Sequence, residues 1–348
     1  MNRNSPEKRT LRGAIVGFGN VAINAHLPVW RRKEHFRIDA VVEPQAERAR
    51  QARELLPEAR IYPDLEKMIA AERVDFVDIC TPPCFHDDLV LASCRSGLHV
   101  FCEKPLTTST ERLREIQKSA ARSESVVFTV NNWKHAPLWV KARDLVRAER
   151  IGAVRSVSMN VLRTSSSGGG ASNWRSDPRV ARGGIMIDHG WHNLYLILSL
   201  VAETPVSVSA RMEPAPGSST GLEETADATI RFPRAEAKLH LTWRAPCRRN
   251  FGTVEGERGT MTIGDDHILV ESDGTQPQRY DFQEALSAGS HHPEWMDCVV
   301  EDFVREIRDA ALRGSNLREA RTCIELIELA YRSNREASCS MEICSLTE

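Results

Sequence analysis

The sequence lacks the features that would direct it to a membrane, a nucleic acid or a structural zinc ion. No stretch reaches the roughly 18 uninterrupted apolar residues of a membrane span, and the opening MNRNSPEKRT is polar with no apolar region behind it. Lys and Arg total 46 against 48 Asp and Glu, a formal net charge of -2, so no overall basic field steers the chain toward phosphate backbones. The nine cysteines, Cys80, Cys84, Cys94, Cys102, Cys247, Cys298, Cys323, Cys339 and Cys344, are odd in number and show no paired CxxC or zinc-ribbon spacing. They read as small hydrophobes in a reducing compartment. No internal repeat is present. The expectation is a soluble, cytoplasmic protein whose partner is a small molecule, with no nucleic acid and no membrane among its partners.

What is there is an alternation. The 348 residues suit two domains, each with a core of its own. Between residues 11 and 149, the strand-like runs LRGAIV, RIDAVV, VDFVDIC, HVFCE and SVVFTV alternate with helical stretches at 45–56, 64–71, 87–96 and 109–122. That order implies a parallel sheet covered on both faces. After Gly152 the strands alternate apolar and polar residues, as in AVRSVSMNVLR, ADATIRF and AKLHLTW, with further short strands at 259–263 and 267–270. The expected fold class is an α/β Rossmann domain over 1–150 followed by an α+β domain over 151–348. Two helices at 293–311 and 317–332 are candidates to pack back on the first domain. RTSSSGGGAS, 163–172, reads as a mobile loop or flexible linker.

AIVGFGNVAINAHLPVW follows the first strand and opens a helix. Gly17 and Gly19 fit the first two glycines of G-x-G-x-x-G/A, and Ala22 takes the third place. The loop Gly17, Phe18, Gly19, Asn20 and Val21 is expected to hold a dinucleotide, with phosphate on the helix N-terminus. A glycine pattern by itself is equally a tight turn, so the flanking strand and helix matter. Glu43 ends the next strand at the distance expected of a ribose partner, which points to NAD over NADP. Arg48 and Arg50 lie close enough to neutralise a phosphate, so NADP stays open.

HVFCEKPLTT, 99–108, runs an apolar strand into a glutamate, a lysine and a proline. Alone, it would be a surface turn. Read with DICTPPCFHDDLVLASCRSGLHVFCEKPL and GGIMIDHGWHNLYLIL, the chain resembles the glucose-fructose oxidoreductase and inositol dehydrogenase (Gfo/Idh/MocA) family over nearly its whole length. Thr81-Pro82-Pro83, His86, Glu103-Lys104-Pro105, Asp188 and His192 match the family pattern in order and spacing. The resemblance implies a Rossmann domain, a second domain on an open, mostly antiparallel sheet, and NAD(P)-dependent oxidoreduction of sugars, cyclitols or related polyols. It implies that Thr81, Pro82, His86, Glu103 and Lys104 belong to the cofactor side and that the Lys104-Pro105 bond is cis. It also places Asn132 near the nicotinamide and Trp174 and Arg175 along the cleft, and implies a homodimer or homotetramer. Lys134 stands where the family commonly has arginine, a point donor in place of a fork.

The chemistry of these residues supports three catalytic assignments. Lys104 should lie at the carboxyl edge of the sheet, where open α/β folds bind ligands, held extended by Pro105. Its ammonium can stabilise the alkoxide that develops on a carbinol oxygen. Asp188 and His192, at i and i+4, share one face of the helix starting near Asp188, with Gly183 and Gly184 leaving room at its entrance. His192 is assigned as the general base and Asp188 as the group that orients substrate and tunes Lys104 or His192. The plainer alternative makes Asp188 an N-cap and His192 a core residue, and Trp191 is either pocket wall or core. His189 and His192 could both reach one ion, but no cysteine or carboxylate set completes a site, and no metal is expected.

The reading is therefore an NAD(P)-dependent dehydrogenase acting on a secondary carbinol of a sugar, cyclitol or related polyol. Two alternatives stand beside it. One is a redox-neutral glycoside hydrolase or lyase using transient oxidation, and the other a dinucleotide-binding sensor without catalysis.

Overall fold

Short apolar runs that are buried on both sides make the first sheet. The structure is a computed structural model that describes residues 9–166, 173–289 and 291–343. Strands β1 (Leu11–Val16), β2 (Phe36–Val42), β3 (Arg60–Tyr62), β4 (Phe76–Ile79), β5 (His99–Cys102) and β6 (Val127–Thr129) form one six-stranded sheet in the order β3-β2-β1-β4-β5-β6, every pair parallel. All four residues of β4 are buried, as helices on both faces require. The order reverses between β1 and β4, so the carboxyl ends of these strands open the crevice where such sheets bind ligands. Strand β3, absent from the sequence reading, is three residues at the sheet edge, too short to show a period.

The core of this unit is aromatic. Phe101 lies 5.9 Å from Phe128 in a stacked pair and 5.4 Å from Trp30 edge-on. Phe303, on the helix Pro293–Arg308, sits 5.2 Å from Phe101, 5.8 Å from Phe128 and 5.9 Å from Phe76. That helix carries Met296, Val299, Val300 and Phe303 at helical spacing into the same cluster. A distant segment of the chain thus completes the first core.

By contacts the chain divides into one unit reaching Thr107 with Glu111–Val130 and His291–Ala320, and a second of Thr108–Thr110, Asn131–Ser290 and the remainder from Arg321. The sequence places the division near 150; by contacts, residues 131–150 group with the second unit. The helix Pro137–Arg147 is among them because its apolar face packs on the helix Trp191–Val201 of the second unit.

The second unit is a nine-stranded sheet. Its strands β7 (Val154–Leu162), β8 (Ser207–Pro214), β9 (Glu223–Arg231), β10 (Glu236–Thr242), β11 (Arg249–Gly256), β12 (Gly259–Ile263), β13 (His267–Ser272), β14 (Gln278–Asp281) and β15 (Met341–Glu342) run in the order β14-β13-β12-β11-β7-β10-β9-β8-β15. Pairing is antiparallel except between β7 and β10. Alternation is clear along β7, where Val157, Met159 and Val161 are buried and Ser156, Ser158 and Asn160 are not. The apolar helix Trp191–Val201 packs against β7.

Among the described residues no helix is long and apolar enough to cross a membrane. No disulfide joins the described cysteines, and Cys80, Cys94, Cys102 and Cys323 are buried. Of the Ser/Gly run, 167–172 lie outside the described residues. Because Phe303 is fully buried between three rings, Phe303→Ala should cost about 3–5 kcal/mol of stability, measured by denaturant unfolding.

Candidate active site

The glycine loop is shaped by one backbone constraint and one opening. Gly17 has φ +87°, and a Cβ there would lie 2.8 Å from Thr81 Cγ2, so only glycine fits. Its N–H donates to the carbonyl of Val42 at 2.8 Å. A Cβ on Gly19 would meet only Arg48 Nη1, at 3.8 Å, which leaves a cradle floored by backbone and flanked by a guanidinium. Phe18 is fully buried, so it offers the loop its backbone alone. The Asn20 carbonyl accepts the Asn24 amide at 2.9 Å, and Val21 is half-buried where the following helix begins.

Glu43 is placed more firmly than a ribose contact alone requires. It is 4 % exposed, its Oε2 accepts the Phe18 N–H at 2.8 Å and its Oε1 accepts the Gln45 N–H at 2.9 Å. The carboxylate is thus a brace between the glycine loop and the end of β2. Each oxygen retains a second lone pair with which to accept a hydroxyl. Thr81 Oγ1, buried and without a hydrogen-bond partner among the described residues, adds an unspent donor at the end of β4. The opening at Gly19 and this hydroxyl fit a dinucleotide.

The helix opened by the loop starts with a π turn, Ala22–His26, ahead of Leu27–Arg32. It carries the fully buried His26 into a network that sequence reading missed. His26 Nδ1 donates to Asp78 Oδ1 at 2.9 Å and Nε2 to Glu103 Oε1 at 2.9 Å, while Trp30 Nε1 donates to Asp78 Oδ2 at 2.6 Å. Burial alone would lower the imidazole pKa, but the charge and hydrogen bond of Asp78 raise it well above its ordinary value, so His26 is a cation. Burial raises Glu103 in the opposite sense, and the hydrogen bond and charge of His26 bring it below the usual carboxylate range. Cys80 Sγ lies 3.4 Å from His26 Nδ1, and burial pushes this thiol up, so it stays protonated. His26, Asp78 and Cys80 come within reach of one ion, yet their atoms are already engaged in these hydrogen bonds.

Glu103 and Lys104 follow β5 directly. The Lys104 N–H donates to Glu103 Oε2 at 3.1 Å, and the Lys104-Pro105 bond is cis. Pro82 begins the short turn Pro83–Phe85. His86, expected among the cofactor contacts, has both ring nitrogens at backbone carbonyls. It is fully buried, with Nδ1 2.7 Å from the Pro105 carbonyl and Nε2 2.8 Å from that of Thr81. Burial lowers its pKa against the pull of both carbonyls. His86 thus lies between the backbone that follows β4 and that which follows β5, within hydrogen-bond distance of a carbonyl of each.

In the second unit the helix bearing Asp188 also begins with a π turn, Met186–Gly190. Asp188 Oδ2 lies 3.5 Å from Arg175 Nε and 3.5 Å from His189 Nδ1. Arg175 in turn covers the Trp174 ring at 4.3 Å. His192 Nδ1 is 2.8 Å from the Tyr195 hydroxyl, and its ring stacks on Trp133 at 4.8 Å. Asn132 opens the turn Asn132–His135, but the buried amide is that of Asn131, which accepts the Trp191 indole N–H at 2.9 Å. Trp191 is fully buried, so it is core and not pocket wall.

The Gly183-Gly184 pair makes room for protein groups. A Cβ on Gly183 would lie 2.2 Å from Tyr331 Oη and one on Gly184 1.9 Å from the Glu223 carbonyl. Glu223 Oε1 accepts the Gly184 N–H at 2.8 Å, the Met186 N–H at 3.1 Å and the Tyr331 hydroxyl at 2.6 Å. This carboxyl, raised by burial, fixes the entrance of the π turn. Arg163, buried on the same unit, donates to Asn250 Oδ1 at 3.0 Å, and burial lowers it to about 10. Among these partners Tyr195, three residues beyond His192 on the same helix, is one whose pairing the sequence spacing could have signalled.

The first unit is a Rossmann fold with the glycine loop and strand-tip residues of a dinucleotide site. Comparison with known proteins agrees: the profile described as an oxidoreductase family with NAD-binding Rossmann fold matches residues 11–132, and that of the Gfo/Idh/MocA C-terminal domain matches 139–262. The chain belongs to the Gfo/Idh/MocA family of NAD-binding oxidoreductases. It is 27% identical to D-glucoside 3-dehydrogenase of Escherichia coli over 53% of this chain and 52% of that protein. It is 36% identical to inositol 2-dehydrogenase of Corynebacterium glutamicum over 30% of this chain and 31% of that one. The fold also matches a crystal structure of an oxidoreductase from Agrobacterium radiobacter, TM-score 0.84 at 16% identity, over 96% of this chain and 98% of that one.

The buried network predicts a pH-dependent stability. Folding raises the His26 pKa, so its contribution is complete below the ordinary imidazole value and is lost as pH rises through the folded value. Folding depresses Glu103, so its contribution is present above the ordinary carboxylate value and is lost as pH falls through the folded one. His26→Gln strands two carboxylates and should cost about 3–5 kcal/mol at neutral pH. Urea unfolding across pH should show the alkaline decline of the wild type flattened in this variant.

Proposed function

We propose that the protein is an NAD-dependent dehydrogenase of a secondary carbinol in a sugar, cyclitol or related polyol, with Lys104, Asp188 and His192 as its catalytic residues. The observation that supports this most directly is the anchoring of Lys104. It follows β5 at the carboxyl edge of the sheet, and its neighbour Glu103 is bound to His26 on the helix that the glycine loop opens. The lysine is thereby fixed to the same framework as the dinucleotide loop. NAD supplies the hydride acceptor. Lys104 donates to the substrate oxygen and stabilises its developing negative charge. His192 removes the hydroxyl proton, and Asp188, set against Arg175 and His189, orients the substrate.

Glu43 supports NAD over NADP, since a buried carboxylate at the end of β2 accepts ribose hydroxyls and repels a 2'-phosphate. The Arg48 guanidinium beside Gly19 supports a role for this residue in neutralising a cofactor phosphate. The names of the relatives, a glucoside dehydrogenase and inositol dehydrogenases, support the substrate class. The open sheet of the second unit, with Ser158, Thr229, Lys238 and His240 on one shallow depression, is the surface proposed for assembly into a homodimer or homotetramer.

The test follows absorbance of reduced nicotinamide with NAD or NADP and a panel of inositols, aldoses, glycosides and uronic acids. Turnover with one class is expected, and Lys104→Ala and His192→Ala should each lower kcat by about 10²–10⁴-fold. Tight NAD binding without net turnover of any of them would overturn the dehydrogenase reading. Glu43→Ala should narrow the ratio of kcat/KM between NAD and NADP.

A further inference from the structure

We propose that Tyr195 is the positioning residue for His192, accepting its Nδ1–H and so fixing the tautomer in which Nε2 carries the lone pair that takes the substrate proton. The proposal rests on the reading of His192 as a general base and concerns how that base is held.

Two contacts define the geometry. The Tyr195 hydroxyl is 2.8 Å from His192 Nδ1 and accepts the backbone N–H of Trp133 at 3.0 Å. An amide N–H can only donate, so one acceptor position of the phenol oxygen is occupied by Trp133. The oxygen is pinned by backbone and not left to swing with its own side chain. Trp133 does a second job, since its ring stacks on the imidazole at 4.8 Å with planes 13° apart. The Tyr195 ring meets the same imidazole edge-on, at 5.8 Å and 82°. One face and one edge of His192 are therefore set by a two-residue clamp, and all three side chains are buried.

A ring whose Nδ1 is engaged by this clamp exchanges protons with substrate through Nε2. To act as a base there, the neutral ring must carry its proton on Nδ1. In that tautomer the Tyr195 oxygen accepts the Nδ1–H beside the Trp133 N–H; the reverse, with the phenol O–H donated to Nδ1, leaves the ring proton on Nε2 and is the outcome that overturns the proposal. The arrangement follows the logic of a nucleophile's histidine oriented by a third group, with a phenol in that place. The difference has consequences for charge. Carboxylates on both ring nitrogens make His26 a cation, whereas a phenol orients His192 without supplying a full charge. Spacing explains the pairing: His192 and Tyr195 are i and i+3 on one helix and so share a face.

The other titratable groups on elements packed against this helix are Asp188 and His189 of the π turn, Lys134 and His135 of the turn Asn132–His135, Lys141, Arg143, Asp144 and Arg147 of the helix Pro137–Arg147, and Arg155 of β7. They stay constant across the variants below, so a change in His192 reports Tyr195.

The experiment is nitrogen NMR of the full chain labelled with 15N-histidine, with His192 assigned by its loss in His192→Gln. In wild type, the neutral His192 should show a protonated Nδ1 and an unprotonated Nε2. In Tyr195→Phe, that tautomer should give way to a mixture. The kcat of this variant should fall about 10- to 100-fold, with KM changed far less, because an unheld base is misplaced while substrate contacts persist. Since Tyr195→Phe also removes the acceptor for the Trp133 N–H, 3-fluorotyrosine at 195 serves as the second variant. It keeps the hydroxyl and the fold but makes the oxygen a weaker acceptor, and the His192 ionisation seen in both the spectrum and the pH profile should move down. A wild-type spectrum with Nε2 protonated, or one unaltered by either variant, would overturn the proposal. The spectra need no substrate, so absence of turnover in the wild type would count against the dehydrogenase reading alone.

Discussion

The first unit depends on one buried cation. His26 is the only positive partner described for Asp78, which points into the core from β4, and it also binds the Glu103 carboxylate beyond the end of β5. A buried carboxylate without such a partner is strongly disfavoured, and two near each other more so. The network therefore dictates which strand ends lie together. It binds the helix after the glycine loop, β4 and the tip of β5 into one piece, and the Lys104 ammonium is carried on that piece.

Three histidines show how partners set the work of an identical ring. His26, between carboxylates, is a cation and a structural rivet. His86 is buried with one backbone carbonyl at each ring nitrogen, and burial pushes its pKa down; a neutral ring donates to one of these carbonyls at a time. His192 meets a phenol and an indole face, partners that orient a ring without imposing a charge. It is to this ring that the proposed function gives the proton transfer. Glu223 plays the equivalent structural part in the second unit, where its carboxyl gathers two backbone N–H groups and the Tyr331 hydroxyl at the start of the π turn.

Much of the architecture was legible because its signals are local. The strands β1, β2, β4, β5 and β6 are apolar runs, and the glycine spacing, the E-K-P string and the aspartate and histidine four apart are short patterns. Their resemblance to the Gfo/Idh/MocA family is matched by profiles over both halves. Other features left no such trace. Strand β3 is too short for a period, both π turns depend on a single extra residue per turn, and the helix Pro137–Arg147 joins the second unit through packing alone.

By itself the sequence determined the order of strands and helices, the class of fold and the residue types able to bind a dinucleotide and move a proton, since periodicity and turn chemistry act between near neighbours. The tertiary structure alone decided what each site residue is bonded to. His26 meets Asp78 across 52 residues and Glu103 across 77, and Glu43 reaches Phe18 across 25. Those pairings give Glu43 the part of a brace beside its expected part at the ribose, and set His86 against two backbone carbonyls. The physical reason is that hydrogen-bond partners and local charge are set by groups brought together from distant strands, and these fix protonation and orientation in ways no spacing along the chain encodes.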